Sequence, residues 1–586
     1  MTITSYNKAS SIALPIGYDD FGKITEKKLN LVDKSLFIKE LLDDEKTEVV
    51  VITRPRRFGK TLNLSMLQYF FSPEVIGQST KGLFENFNIA KAGKKYMDHQ
   101  GKYPVVFMTL KDIRDHDYDT AYMKFCALMR RVYADYRYLM KSTALYDDEK
   151  QLFERILLKN ANKEEVCGAL RTLTEYLYRH HGVKPWLLID EYDTPLQSAY
   201  LNGYYDKMID LIRDFFGSAF KTNPCFGRAV ITGILRISKE SLFSGVNNLE
   251  VYSVLNPKYS EYFGFTEKEV SDLIQQFHLE EYSDEIRDWY NGYQFGDTTI
   301  YNPWSMVHCL QQEDRRFMPH WIGTSGNELV KDLMVKSNTE FKRHFESLLQ
   351  GLPVQRLIDE NMVFADLNKN HEIAVWTLLL MSGYLKVTKR ENVDQGMLCM
   401  VAIPNREVRI LYRQVIEQWL ANGHGVMWYN DFLKSLLMGD IAHFREQLKE
   451  LMEETISHHD VTKKSEAFYH GLMIGLTASF GADKKNYEFK SNRESGYGRY
   501  DYLIMPVDPN HFTILLEFKK VVKDDFTEET EFKDVSVQLE KAALDAITQI
   551  HTQGYLAEVK QRGRKNIILI GLSFLGKHFC IREERV

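Results

Sequence analysis

An apolar run at 48–52 breaks directly into the loop TRPRRFGKT and then into LNLSMLQYF, a segment with helical spacing. A buried strand, a tight glycine-bearing loop and a helix start, in that order, leave few architectures open, because the helix must pack back over the sheet it has just left. Such a junction also has a chemistry. Backbone N–H groups turned into the loop, with a helix N-terminus behind them, bind phosphate. In this reading Gly59 admits close backbone approach, Lys60 reaches the β- and γ-phosphates, and the Thr61 hydroxyl ligates Mg²⁺. The loop departs from GxxxxGK(S/T), because Arg54 stands at the first glycine position. Taken alone, GKT after a strand also arises by chance.

The second motif is WLLIDEYD, in which four apolar residues precede Asp190 and Glu191. Asp190 at the end of a strand can hold the water shell of Mg²⁺, and Glu191 can orient or deprotonate an attacking water. The runs at 48–52, 105–110, 186–190 and 228–232 are nearly continuous in apolar residues, as central parallel strands are, and helical segments such as 62–71 and 118–180 separate them. The expected fold is α/β, a P-loop NTPase with a parallel sheet and helices on both faces. The nucleotide contacts expected for ATP are Arg56, Arg57, Phe58, Gly59, Lys60, Thr61 and Leu62. After the fourth run, ITGILRISKES places Thr232 where a polar group would face the γ-phosphate. Arg236 either neutralises transition-state charge or forms a surface salt bridge.

Farther on, Phe265-Thr266-Glu267 reads as a helix start, and WYNGYQFGDTTIYNPWS is dense in aromatics and turn residues. The aromatics Trp289, Tyr290, Tyr293, Tyr301 and Trp304 suit the core of a small lid or winged-helix-like unit better than base stacking. The expected domains are 1–260, the nucleotide-binding domain; 261–330, the lid or winged-helix-like unit; 331–450, mainly helical; and 451–586, a second α/β domain.

In that last domain a helix at 465–477 precedes strand-like runs at 500–505, 513–518 and 566–574, with a helix near 539–550. GYGRYDYLIMP puts Asp501 at a strand start, and TILLEFKK puts Glu517 and Lys519 on one face of the next strand. Asp501 and Glu517 can jointly hold Mg²⁺ while Lys519 stabilises charge or positions water. Glu466, with His470 one turn on, is a further metal-ligand candidate. An ExK on an edge strand is also a common salt-bridge pattern. Arg493 and Arg499 flank Asp501; the first reads as paired with Glu494 or other acids, and the second is open between pairing and phosphate contact.

LVDKSLFIKELL, ITRPRRFGKTLNLSML, WLLIDEYDTPL, ITGILRISKESLFSGVNNL and WYNGYQF…YNPWS together resemble the AAA-ATPase-like family, common in anaerobic and gut bacteria and related to STAND-type ATPases. The resemblance spans about the first 330 residues. It implies that Arg54 is a family trait, and that Asp33 and Lys34 line the mouth of the nucleotide pocket. EAFYHGLMIGL, SNRESGYGRYD, EFKK and Gln549…Tyr555 resemble the PD-(D/E)XK nuclease superfamily, in the branch found behind AAA-ATPase-like domains. Together the resemblances imply an ATPase switch governing a Mg²⁺-dependent DNA nuclease with Asp190, Glu191, Asp501, Glu517 and Lys519 catalytic. The alternative is a signalling or scaffold ATPase whose C-terminal domain holds nucleic acid or a partner without cutting. A helicase is disfavoured, because no further helicase motif is visible.

Bulk properties fit these readings. A net charge of −6 advertises no general nucleic-acid affinity, so any basic surface must be local. Six cysteines without a CxxC pair suit reduced thiols. No secretory leader is visible, and the longest apolar stretch, 374–385, is too short to span a bilayer. A cytoplasmic protein with no membrane partner is expected, of open oligomeric state.

Overall fold

The computed structural model describes residues 13–586 except 236–248, 313–315, 322–332, 334–338, 350, 363, 365, 370, 395, 421–425, 456–485, 496–497, 522–531, 553–554 and 576–577. Two compact units divide the chain, Met1–Val330 with Gln355–Glu407, and Lys331–Val354 with Val408–Val586.

The first unit is built on five strands, β1 Val49–Thr53, β2 Val105–Thr109, β3 Trp186–Asp190, β4 Arg228–Gly233 and β5 Leu249–Tyr252. Every pairing is parallel and the order is β2-β3-β4-β1-β5. Successive side chains of a strand point to opposite faces, yet every residue of β1, β3 and β4 is buried, so helices cover both faces of the sheet. β5 is the strand that sequence periodicity does not reveal. It is four residues long and places the polar Glu250 outward. The long helical segment after β2 is three helices, Tyr118–Asp135, Asp147–Leu158 and Lys163–His181. Asn162 and Glu165 form a reciprocal cap at the start of the last of these, and Gly182 ends it.

A helix–hairpin subdomain follows. Strands β6 Phe265–Thr266, β7 Tyr293–Phe295 and β8 Thr298–Tyr301 form an antiparallel sheet of order β6-β8-β7. Helices Glu267–Gln276, Ser283–Tyr290 and Pro303–Gln311 pack around it. Thr266 caps the first helix, where the sequence marks a start. Trp289, Tyr290, Tyr293 and Tyr301 are buried, as core aromatics are.

The 331–450 region, read from sequence as mainly helical, also carries β9 Val354–Ile358, β10 Lys386–Val393 and β11 Gly396–Ala402, in the order β9-β11-β10. The difference has a local cause. β10 is mostly exposed and rich in charge, so it lacks the apolar alternation that marks a strand.

In the second unit, β12 Tyr487–Ser495, β13 Gly498–Pro506, β14 Thr513–Lys520, β15 Ile567–Leu575 and β16 His578–Arg585 pair in chain order. Only β14 and β15 are parallel, joined by the crossover helices Phe532–Thr552 and Tyr555–Gln561. The long helix lies tight on β15. A Cβ on Gly571 would come within 2.1 Å of the Ala543 carbonyl oxygen, and the buried Ser573 hydroxyl donates to the Leu539 carbonyl. Leu503, Leu515, Ile547, Ile550 and Leu569 form the core beneath it. β12 and β16, the outer strands, escape the sequence reading because polar and charged residues dominate them. Among the described residues no helix is long and apolar enough to cross a membrane.

Candidate functional sites

The loop after β1 ends at Gly59, whose φ of +80° is left-handed and suits glycine, and which caps the helix Lys60–Phe71. The Lys60 ammonium is buried and donates to the carbonyl oxygens of Arg54 at 3.0 Å and Pro55 at 2.9 Å. Burial lowers its pKa, opposed by the carboxylates of Glu191, Asp190 and Asp193. Thr61 Oγ1 donates to Asp190 Oδ2 at 2.7 Å, and Thr232 Oγ1 donates to Asp190 Oδ1 at 2.6 Å. Asp190 is wholly buried; desolvation raises its pKa while the two hydroxyls pull it back. Thr232, expected to face the γ-phosphate, thus supports Asp190. The Thr61–Asp190 pair presents hard oxygen donors, the set that suits Mg²⁺.

Glu191 has φ +53°, uncommon for a residue with a side chain and a form of strain found at functional positions. Its carboxylate accepts from Thr194 Oγ1 at 3.0 Å and from Arg114 Nη2 at 3.3 Å. Sequence reasoning missed Arg114, which lies in the irregular segment beyond β2 and belongs to no motif. Asp193 accepts the backbone N–H groups of Ile234 and Leu235 at 2.8 and 2.9 Å, which ties it to the chain after β4.

A cavity of about 360 Å³ opens over this cluster. Loop residues 56–63 form one wall, 14–19 and 30–32 another, and Trp304 and His308 a third. Among the expected contacts, Arg56, Arg57, Phe58, Gly59, Lys60, Thr61 and Leu62 all border it. Their side chains diverge, however. Arg56 donates to Gln197 Oε1 at 3.0 Å, Arg57 lies 4.3 Å from the Trp304 ring centre, and the buried Phe58 ring packs on Tyr293 and Phe295. Lys34 borders the cavity and is ion-paired to Glu269 at 2.6 Å. Asp33 instead accepts the backbone N–H groups of Ser35 at 2.8 Å and Asn88 at 2.6 Å, a local structural role. Arg236 lies outside the described residues.

In the second unit Glu517 and Lys519 share a face of β14, with the ammonium 3.5 Å from Glu517 Oε1. Gln549, from the crossover helix, donates to Glu517 Oε1 at 2.6 Å and accepts from Lys519. The tight seat of that helix on Gly571 accounts for its reach. Glu517 is buried and Lys519 half-buried. The β13–β14 register runs to Tyr502 opposite Leu516, the residues next to Asp501 and Glu517 in the chain. The Asp501 side chain lies outside the described residues, as do those of Arg493, Arg499 and Tyr555, and as do Glu466, His470 and the expected helix at 465–477. Among the described residues no three His, Cys, Asp or Glu side chains converge as a metal site.

These features define a P-loop nucleotide-binding domain and, in the same chain, a nuclease-like mixed α/β domain. Residues 15–243 match the family described as predicted AAA-ATPase, and residues 464–584 match the PD-(D/E)XK nuclease superfamily. The chain is also similar to a protein of Azotobacter chroococcum mcd 1 described as an uncharacterized protein in the vnfD 5' region, with 25% identity over 569 residues and 96% of each chain covered.

Proposed function

We propose that the first unit binds and hydrolyses ATP, and that its nucleotide state governs a Mg²⁺-dependent DNA phosphodiesterase in the C-terminal domain. The observation that carries the reading is the meeting of Lys60, Thr61 and Glu191 at one cavity, with the buried Asp190 bonded to Thr61 beneath it, on a loop and a strand end that are far apart in sequence. Lys60 supplies a buried positive charge to the β- and γ-phosphates, and the helix N-terminus after Gly59 supplies N–H donors. Thr61 and Asp190 would supply oxygen ligands to Mg²⁺. Glu191 takes the proton from the attacking water, with Arg114 holding its carboxylate in place. In the C-terminal domain, Glu517 with Asp501 and Glu466 would hold Mg²⁺, and Lys519 faces the charge that develops on the phosphodiester. At both sites the bound ion supplies positive charge against phosphate oxygens.

The test uses the full-length chain. ATP hydrolysis and cleavage of plasmid and single-stranded DNA are measured with Mg²⁺, with and without ATP, for the parent and for Glu191→Gln and Glu517→Ala. Cleavage that needs Glu517 and changes with ATP supports the reading. DNA binding without any cut, unaffected by Glu517→Ala, would leave an ATPase whose C-terminal domain only binds.

A further inference from the structure

The phosphate loop is held from behind by the helix–hairpin subdomain and the segments flanking it. Arg54, at the first glycine position of the motif, is wholly buried and does not border the cavity. Its Nη1 donates to the carbonyl oxygens of Thr53 at 2.8 Å and Tyr252 at 2.9 Å, which ties together the C-terminal ends of the adjacent strands β1 and β5. The guanidinium centre lies 5.6 Å from the Phe263 ring and 5.0 Å from the Phe295 ring. Phe58, four residues on, packs its ring on the same Phe295 at 5.1 Å. The Trp321 indole N–H donates to the Arg56 carbonyl at 3.2 Å.

Two facts give this clamp a purpose beyond packing. A buried cation without a carboxylate is costly, and strand-end carbonyls with aromatic faces offset only part of that cost. Burial pushes the Arg54 pKa down to about 9, and its Nε finds no hydrogen-bond partner among the described residues. An apolar side chain of similar length would fill the space at least as stably. The second fact is the backbone. The carbonyls of Arg54 and Pro55 are the two acceptors that hold the Lys60 ammonium.

We infer that Arg54 is a positioning residue for the phosphate loop: clamped between two strand-end carbonyls and the rings of Phe263 and Phe295, it fixes the peptide groups that aim Lys60 and makes phosphate affinity depend on the packing of the helix–hairpin subdomain. The inference rests on the ATP reading above and deepens it. Arg54 is buried away from the cavity and acts through Lys60. The subdomain therefore senses the loop, and nucleotide binding must in turn favour one packing of Phe295 against Arg54 and Phe58.

The experiment compares full-length parent, Arg54→Met, Phe295→Leu and Lys60→Ala by calorimetric Mg·ATP binding, steady-state hydrolysis and thermal melting. Arg54→Met keeps the length and removes charge and fork. Phe295→Leu leaves the loop sequence intact and lies outside the cavity wall. Expected are a Tm for Arg54→Met at or above the parent's and a Kd and KM for ATP raised about tenfold, with kcat within about twofold. A smaller rise in the same direction is expected for Phe295→Leu. Parental Kd and KM in either folded variant, or a fall in Tm with KM unchanged, overturns the inference. A parent that binds no Mg·ATP, indistinguishable from Lys60→Ala, overturns the ATP reading itself.

Discussion

Glu407 makes the stability of the first unit and the affinity of its cavity depend on pH in a direction opposite to that of a salt-bridged acid. The carboxylate is wholly buried, accepting the Ser305 hydroxyl at 2.7 Å and the Trp321 backbone N–H at 2.6 Å. Desolvation outweighs these bonds and pushes its pKa from the ordinary 4.5 up to about 7. The folded state thus favours the protonated acid more than the unfolded state does. Its contribution is fully present below about pH 4.5, falls as pH rises, and is lost above about 7. A displacement of that size, at 1.36 kcal/mol per pH unit, is worth about 3 kcal/mol across this window. Glu407→Gln removes the titration while keeping the acceptor for Trp321. Urea unfolding followed by tryptophan emission at pH 5, 6, 7 and 8 should show the parent losing stability relative to the variant by roughly that amount. Ser305 lies in the first turn of the helix Pro303–Gln311 that carries Trp304 and His308 into the cavity wall, and the Trp321 indole holds the Arg56 carbonyl. The KM for ATP should therefore rise from pH 6 to 8 in the parent and much less in the variant. A parent-minus-variant stability that is flat with pH refutes the argument.

Removing the Lys60 ammonium should weaken Mg·ATP binding by roughly 2–4 kcal/mol, and unchanged calorimetric affinity in Lys60→Ala would exclude the phosphate-loop role. Glu191→Gln should bind ATP normally while hydrolysis falls about 10²-fold; parental turnover would clear Glu191 of proton transfer. Thr232→Val leaves the buried Asp190 Oδ1 without its donor, so denaturation should show a loss of about 1.5–3 kcal/mol, whereas a neutral effect would mean Asp190 is repaired by another group. Asp501→Ala and Glu517→Ala should abolish Mg²⁺-dependent DNA cleavage and metal binding at the C-terminal site, whereas Lys519→Ala should bind metal and not cut. Retained cleavage in Lys519→Ala would reduce Lys519 to an ordinary ion pair with Glu517.

What could be read without coordinates follows from where the physics is local. A buried parallel strand is nearly continuous in apolar residues, so β1 through β4 stand out, and GKT and IDE follow or end two of them, where strand and helix termini would serve a phosphate and a metal. β5 is short, β12 is mostly polar and charged in sequence, and β16 is mostly exposed, so their signal dissolves into the surrounding polar sequence. Arg54 was legible as a departure from the glycine pattern, but its partners Tyr252, Phe263 and Phe295 lie roughly 200 residues away. Arg114 and Glu407 had no motif to announce them, since what marks each is a contact made by folding.

The two sites share a physical device. At each, a buried carboxylate near the C-terminal end of a parallel-paired strand is held by neutral donors: Asp190 by the hydroxyls of Thr61 and Thr232, Glu517 most closely by the Gln549 amide. A close bidentate counter-ion would satisfy such a carboxylate and oppose the arrival of a metal; hydroxyls and amides orient it and leave its charge available. The cation at each site stands back accordingly. Lys60 donates to two carbonyls rather than to Asp190, and Lys519 is 3.5 Å from Glu517 while bonded to Gln549. Replacing the neutral holder by a charged one therefore discriminates function from stability. Gln549→Lys would place a second ammonium against Glu517, which should leave the fold intact and suppress metal-dependent cleavage, whereas Gln549→Glu should raise the Glu517 pKa by like-charge repulsion and shift cleavage to higher pH. If both variants cut DNA with the parental pH profile, Glu517 is not the carboxylate that serves the metal.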